Sequence, residues 1–167
     1  MVKDISIDDS GYPCLFHSAG NILYFVAYDD NSFGEELWKS DGTEEGTVLV
    51  KDICEGDCYS GIGEISSLGN IAYFGADDGI HGIELWQSDG TEEGTELVKD
   101  FMYSYDSYPY KFTSAGDSLF FVVDSDLYGN ELWMLTSSVI RGDMNPPSGS
   151  TITTATPSKA STDTDQG

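Results

Sequence analysis

Short apolar runs separated by polar, glycine-rich turns recur along the first 138 residues of the chain. In its middle part these runs lie near 48–53, 64–68, 71–75 and 83–88, and they are rich in β-branched and aromatic residues. Runs of this length between turn residues are typical of strands, and nothing has the spacing of a helix. The pattern predicts an all-β fold.

The turns indicate how these strands pair. Gly69-Asn70 separates two runs by two residues, which is a hairpin signal, so consecutive strands are expected to be antiparallel. Adjacent large apolar residues such as Leu37 and Trp38 must point to opposite faces of a strand. Both faces of each small sheet therefore need burial, and a stack of sheets provides it.

The apolar pattern is periodic. Glu-Leu-Trp occurs at 36–38, 84–86 and 131–133, and Val-Lys-Asp occurs at 2–4, 50–52 and 98–100. Because both markers recur every 47 or 48 residues, the chain contains three copies of one unit. We place these units at approximately 2–47, 48–95 and 96–138.

Four antiparallel strands in 40–50 residues is the period of a β-propeller blade. Propellers have about 4 to 8 blades, so three units predict an incomplete or partial propeller. The third unit also lacks the Ser-Asp-Gly-Thr-Glu-Glu-Gly-Thr turn found at 40–47 and 88–95. The segment Val2–Ile5 is one candidate for its missing strand, and a neighbouring chain is the other, since open strand edges invite pairing.

The composition changes after residue 138. Residues 148–167 contain ten Ser or Thr and no aromatic residue, which predicts a disordered tail, a linker or an O-glycosylated segment over 139–167. The candidate O-glycosylation sites are Thr151, Thr153, Thr154, Thr156 and Ser158.

The charge of the chain excludes several functions. Thirty acidic residues against seven basic ones give a net charge of -23, and residues 1–138 hold 27 of the acids. Such a surface repels nucleic acid and anionic lipid, whereas it attracts divalent cations and basic partners. No run approaches the roughly 18 apolar residues of a membrane-spanning helix, so no membrane insertion is expected.

Three cysteines are too few for a disulfide scaffold or a zinc site. The spacing Cys54-x-x-x-Cys58 favours a local disulfide, on the expectation of an oxidising compartment. Cys14 is then left over.

The string Gly-x-Glu-Leu-Trp-x-Ser-Asp-Gly-Thr-x-x-Gly-Thr, followed by Leu-Val-Lys-Asp, resembles the ELWxxDGT repeat family of large secreted and surface-attached proteins. The resemblance covers residues 2–138, and the third copy departs from the motif after Trp133. It implies propeller-like repeats and an extracellular or cell-surface location.

Aspartates occupy the same turn in all three units: Asp29, Asp30, Asp77, Asp78, Asp124 and Asp126. Clustered carboxylates suit a hard cation such as Ca²⁺, which makes these residues candidate metal ligands. The alternative is ordinary turn chemistry, in which each side chain bonds the backbone of its own turn.

No arrangement of residues predicts catalysis. His81 aligns with Phe33 in the first unit, so we interpret it as a packing residue, and neither a Ser-His-Asp nor a Cys-His set occurs. Abundant carboxylates alone leave a carbohydrate-active propeller enzyme as the least favoured reading.

Two functions are favoured. The first is an extracellular or cell-surface structural and interaction module that makes protein–protein or adhesive contacts. The second is the protomer of an extracellular, O-glycosylated filament assembled through open strand edges. The expected partners are other copies of the chain or further repeats of a longer chain, with glycans as a further class.

Overall fold

A computed structural model describes residues 1–6, 10–29, 33–56, 58–102, 106–125, 129–136 and 151–154. The described residues form three antiparallel sheets and no helix, so the all-β prediction is confirmed. Within these ranges there is accordingly no apolar helix of membrane-spanning length.

The first two sheets have four strands each, in simple chain order. The first sheet contains β1 (Cys14–Ala19), β2 (Ile22–Asp29), β3 (Gly34–Ser40) and β4 (Val48–Lys51). The second contains β5 (Ile65–Leu68), β6 (Ile71–Asp77), β7 (Ile83–Ser88) and β8 (Glu96–Lys99). The hairpin between β5 and β6 turns at Gly69-Asn70, with Leu68 paired to Ile71, as its sequence predicts.

The third sheet takes its three main strands from the third repeat: β9 (Tyr110–Ala115), β10 (Ser118–Ser125) and β11 (Gly129–Thr136). A short strand, β12 (Thr151–Thr154), pairs antiparallel with β11 at its outer edge. The prediction of a tail without regular structure is therefore wrong for these four residues. The prediction that Val2–Ile5 pairs there is also wrong, because that segment belongs to no strand of this sheet.

The first two sheets each take their strands from two successive repeat units. The strand near 48–53 was expected to begin the middle unit, but β4 pairs with β3 and closes the first sheet. In the same way β8 pairs with β7 and closes the second sheet. Each Val-Lys-Asp segment therefore follows Glu-Leu-Trp within one sheet, because the turn between them brings its strand back antiparallel.

Both faces of the second sheet are buried, as the alternation of Leu and Trp predicts. We call the face that points to the next sheet along the chain the forward face, and the opposite one the back face. Leu37 packs from the forward face of the first sheet against Trp86 on the back face of the second, in one apolar cluster. Leu85 enters the next cluster, with Phe121 of the third sheet.

The first strands of successive sheets lie side by side. β1 contacts β5, and β5 contacts β9. The Ser67 hydroxyl lies 3.0 Å from Nε2 of His17, so this side of the stack is held by polar contacts as well as by the apolar clusters. Burial lowers the pKa of His17.

Lysine side chains bond the turns of the first two sheets to the chain segments that precede those sheets. Lys51, at the end of β4, donates a hydrogen bond of 3.0 Å to the carbonyl of Thr95 in the second sheet's turn. Lys3 makes the same bond, at 2.8 Å, to the carbonyl of Thr47 in the first sheet's turn. The N-terminal segment therefore contacts the first sheet as the end of a preceding repeat would.

Candidate functional site

The forward face of the third sheet is the largest departure from the repeat pattern. Leu37 and Leu85, from the first two Glu-Leu-Trp motifs, are both 0% exposed, whereas Leu132 of the third is 53% exposed. Leu132 pairs with Val122, and Met134 pairs with Phe120 on the same face. We call Phe120, Val122, Leu132 and Met134 the terminal face. It is an apolar surface of the kind that the next sheet covers in the first two repeats.

The Glu of the first two motifs is buried and binds the chain that follows its sheet. Glu36 accepts hydrogen bonds of 3.1 Å from the backbone N–H groups of Ile53 and Cys54. Glu84 accepts one of 2.9 Å from the N–H of Phe101 and one of 2.6 Å from the Ser107 hydroxyl. Sequence reasoning assigned the motif to packing by Leu and Trp, and it missed this role.

Burial changes the protonation of both carboxyl groups. Loss of hydration raises the pKa of Glu36 to about 8, although hydrogen bonds from Cys54, Ile53 and Ser60 oppose the shift. It raises the pKa of Glu84 to about 7 in the same way, with Asp100 adding to the rise. Charged and neutral forms of these residues are therefore both accessible near neutral pH. Glu131, the third motif's equivalent, is exposed.

The Ser-Asp-Gly-Thr-Glu-Glu-Gly-Thr turn is closed by its own hydrogen bonds. In the second copy, Asp89 Oδ1 accepts bonds from the N–H and the hydroxyl of Thr91, at 2.8 and 2.7 Å. The Thr91 hydroxyl in turn accepts the N–H of Gly94 at 2.9 Å. The first copy has the same bonds around Asp41. These contacts explain the residues of the turn without a ligand.

The predicted Ca²⁺ ligands that the structure describes lie at or near strand ends, or in a turn, of three separate sheets. Asp77 accepts the N–H of Gly79 at 2.7 Å, and Asp78 accepts the N–H groups of Ile80 and His81 at 2.9 Å. These bonds are the turn chemistry that was the alternative to metal binding. Asp29 ends β2, Asp124 lies near the end of β10, and Asp30 and Asp126 lie outside the described residues.

Among the residues that the structure describes, no group of three or more His, Cys, Asp or Glu side chains is placed to hold a metal ion. The oxygens of Asp77 and Asp78 that bond the backbone would have to be shared with a cation. Calcium binding at these turns therefore stays untested, and the backbone bonds of Asp77 and Asp78 favour the alternative of turn chemistry.

His81 is not the packing residue that its alignment with Phe33 indicated. Its Nδ1 lies 2.7 Å from Oδ2 of Asp78, and its side chain is at the surface. The hydrogen bond to Asp78 raises the pKa of His81. The pair stabilises the turn between β6 and β7, and the alignment missed it because Phe33 carries no polar group.

The structure joins Cys54 to Cys58 by a disulfide bond, in the segment that leads from the first sheet to the second. Cys14 is an exposed free thiol at the start of β1. Burial, together with the nearby Glu35 carboxylate, raises the pKa of this thiol.

The predicted O-glycosylation sites divide into two groups. Thr151, Thr153 and Thr154 belong to β12, which pairs with β11. Thr156 and Ser158 lie outside the described residues. The structure thus assigns a backbone pairing role to part of the Ser/Thr-rich segment.

Comparison of the chain with protein-family models, with curated proteins and with solved structures finds no match.

Proposed function

We propose that this chain is an extracellular or cell-surface structural and interaction module, in which propeller-like repeats make protein–protein or adhesive contacts. The proposal includes membership of the ELWxxDGT repeat family, which its residues support through the Glu-Leu-Trp and Val-Lys-Asp periodicity. The side-by-side first strands, β1 to β5 and β5 to β9, support a propeller-like arrangement, because blade sheets meet along their innermost strands.

The exposure of Leu132 is the observation that carries the proposal. The equivalent leucines of the first two repeats are fully buried by the sheet that follows them. An apolar surface left open in this way marks an interaction site. The occupant that we propose is a repeat of the same kind, offered by a second copy of the chain.

The first sheet offers a matching surface at the other end of the stack. Phe16 is 61% exposed and stacks on Phe25 of the back face, with ring centroids 5.8 Å apart. Lys3 and Ile5 contact this sheet as a preceding repeat would. The terminal face of one copy therefore meets the first sheet of another in a head-to-tail contact.

Sedimentation velocity over a range of protein concentrations tests this contact. We expect the wild-type chain to self-associate, and Leu132→Asp to weaken the association about tenfold or more, because it places a charge in an apolar contact. Ile80→Asp is the matched control, since Ile80 is 76% exposed in a turn and the variant adds the same charge. A wild-type chain that remains monomeric, or equal weakening by both variants, contradicts the proposal.

Location outside the cytosol is supported by the Cys54–Cys58 disulfide, because such bonds persist in oxidising compartments. Rapid alkylation of the native protein, followed by mass spectrometry, measures the redox state of the two cysteines. The proposal requires that alkylation modify Cys14 and spare the other two. Alkylation of all three would contradict it.

The filament protomer is the second candidate, and the head-to-tail geometry favours it. A heterologous contact of this kind closes into a ring or continues as an open filament. Electron microscopy of concentrated wild-type protein distinguishes the two results. Closed particles alone would exclude the filament while leaving the interaction module in place.

A further inference from the structure

A short segment enters the first strand of each sheet, and one repeated hydrogen bond holds it. The bond joins a carbonyl of this segment to the N–H near the end of the sheet's second strand. Its length is 2.8 to 2.9 Å in the three copies: Gly11 to Tyr28, Ser60 to Asp77, and Ser107 to Asp124. The residues beside this bond therefore occupy equivalent places in the three repeats, at the same end of each sheet.

The residue after the carbonyl of this bond has a left-handed backbone in every repeat. Its φ is 63° at Gly61, 41° at Tyr12 and 42° at Tyr108. Glycine adopts this conformation freely, whereas a bulky side chain rarely does. The two tyrosines are 64% and 50% exposed, so burial of their rings does not offset the strain. Exposed rings at a strained position are typical of a binding surface.

The junction of the first and second sheets carries a stacked pair of tyrosines. Tyr28 pairs with Glu35 on β3, and Glu35 forms a parallel bridge with Tyr59. The centroids of the Tyr28 and Tyr59 rings are 6.1 Å apart, and the ring planes are inclined by only 13°. Because Tyr59 is 59% exposed, an aromatic surface remains open to solvent beside the stack.

The junction of the second and third sheets carries carboxylates in the equivalent places. Asp77 and Asp106 replace the two stacked tyrosines of the first junction. The Tyr108 hydroxyl donates a hydrogen bond of 2.7 Å to Oδ2 of Asp106. This bond and the negative charges of Asp106 and Asp77 raise the pKa of Tyr108, so Asp77 also lies near this hydroxyl.

The two junctions form one continuous surface. Tyr59 directly precedes Ser60, and the Ser60 carbonyl accepts the N–H of Asp77 at 2.8 Å. The stacked rings therefore adjoin the two carboxylates and the third ring. We call this set of side chains the tyrosine surface: Tyr28, Tyr59, Asp77, Asp106 and Tyr108. It shares no residue with the terminal face.

Each carboxylate of the tyrosine surface is fixed through one of its oxygens. Asp77 Oδ1 accepts the N–H of Gly79 at 2.7 Å, and Asp106 Oδ1 accepts the N–H of Ile83 at 2.8 Å. A carboxylate has about four lone-pair sites, so both groups keep capacity for further donors. Hydrogen bonds from hydroxyl groups to carboxylates are short and strong. The surface thus combines open ring faces with fixed acceptors.

A sugar ring offers the complementary groups. One of its faces carries C–H bonds, which stack on an aromatic ring, and its edge carries hydroxyl groups, which donate to carboxylates. A proline-rich peptide also docks on aromatic rings, but proline has no N–H group and would leave buried carboxylates without partners. An anionic sugar is disfavoured by the net charge of -23.

We propose that the tyrosine surface binds a neutral glycan. One sugar unit stacks on the open ring of Tyr59, and hydroxyl groups of the adjoining units donate to Asp77 and Asp106. Because the surface spans two sheet junctions, it suits a chain of several sugar units. The proposal does not depend on self-association through the terminal face.

The test uses the full chain and three neutral pentasaccharides, of β-1,4-linked glucose, mannose and xylose. Two-dimensional NMR of the backbone amides follows binding. We expect saturable shifts at Tyr59, Ser60 and Tyr108 with at least one of them, and none with the anionic pentagalacturonate. No saturable shift with any of the three, or equal binding of pentagalacturonate, overturns the proposal. Shifts of the same residues with hexaproline or pentalysine, but with no sugar, would indicate a peptide site and also overturn it.

Two replacements of Tyr59 test the stacking contact. Tyr59→Ala removes the open ring and should weaken binding about tenfold or more. Tyr59→Phe keeps the ring and should bind within about twofold of the wild type. Phe16→Ala is the matched control, because Phe16 is an exposed ring, at 61%, that stacks on the back face of the first sheet. Equal losses in Tyr59→Ala and Phe16→Ala, or unchanged affinity in Tyr59→Ala, overturn the proposal.

Asp77→Asn tests the carboxylate. It keeps an oxygen for the N–H of Gly79 and removes the charged acceptor, so binding should weaken severalfold. Glu92→Gln, in an exposed turn, is the control for net charge, and equal affinities of these two variants overturn the role of Asp77. Leu132→Asp should bind the sugar normally, so that a failure of self-association and a failure of this surface are distinguishable.

Discussion

The Glu84 carboxylate accepts a hydrogen bond of 2.6 Å from the hydroxyl of Ser107, a residue 23 positions later that stands directly before the third sheet. The same oxygen accepts the N–H of Phe101, which follows β8. One buried side chain thus holds the end of its own sheet and the beginning of the next. Glu36 has the equivalent position between the first and second sheets.

Two replacements of Glu84 should distinguish the contribution of its hydrogen bonds to stability from that of its charge. Glu84→Ala leaves the Phe101 N–H and the Ser107 hydroxyl without their acceptor, which costs about 1–3 kcal/mol for each buried group left unpaired. Glu84→Gln keeps an acceptor and removes a buried charge, so we expect a much smaller loss. Urea unfolding measures both, with Glu131→Ala as the control at the exposed equivalent. Equal losses for Glu84→Ala and Glu131→Ala would contradict the role of Glu84.

The stability of the chain should fall as the pH rises from 5 to 8. The pKa values of Glu36 and Glu84 are raised in the folded state, to about 8 and about 7, from an ordinary 4.5. The folded chain therefore holds protons that the unfolded chain releases. The contribution of these two groups to the free energy of unfolding is fully present below pH 4.5. It is lost between pH 4.5 and pH 7 to 8, with a slope of up to about 1.4 kcal/mol per pH unit for each group.

Glu36→Gln serves as the control for this pH dependence. The other acidic residues repel one another as the pH rises, and that effect remains in the variant. Urea unfolding at several pH values should therefore give a shallower slope for Glu36→Gln than for the wild type. Identical slopes would mean that Glu36 is ionised throughout.

The Asp-Gly-Thr turn should contribute to stability through the aspartate. Asp89→Ala removes two hydrogen bonds to Thr91, and at about 0.5–1.5 kcal/mol each we expect a measurable drop in the melting temperature. Glu92→Ala in the same turn is the control, because its side chain is exposed. If the control lowers the melting temperature as much as Asp89→Ala, the hydrogen bonds are not the cause.

Gly34 should not tolerate any side chain. It has a φ of 65°, and a Cβ there would overlap the carbonyl oxygen of Cys58. Gly69→Ala is the matched control, since Gly69 has a φ of 64° and open space around its Cβ position. We expect Gly34→Ala to lower the free energy of unfolding clearly more than Gly69→Ala, because both have the backbone strain and only the first has the collision.

Calcium should have little effect on the melting temperature. The carboxylates of Asp77 and Asp78 are engaged with the backbone of their turn, and a cation that bound only weakly would add little stability. Melting in chelator and in millimolar Ca²⁺ should therefore agree. A clear rise with Ca²⁺ would show that the aspartate turns bind the ion, and Asp78→Asn should then abolish the rise.

Some properties of this protein follow from the sequence alone. The strand pattern, the two-residue turn at Gly69-Asn70 and the burial of Leu37 and Trp38 on opposite faces are all consequences of local order along the chain. A strand alternates its side chains whatever it packs against, so the apolar pattern already requires a sheet on each side.

The tertiary structure determines the features that depend on contacts between residues far apart in the sequence. The partners of Glu84 are separated from it by 17 and 23 residues, and the strand beside β11 is formed by 151–154 rather than by Val2–Ile5. Such contacts depend on which backbone groups and surfaces meet in the folded chain, and the local sequence pattern does not specify them.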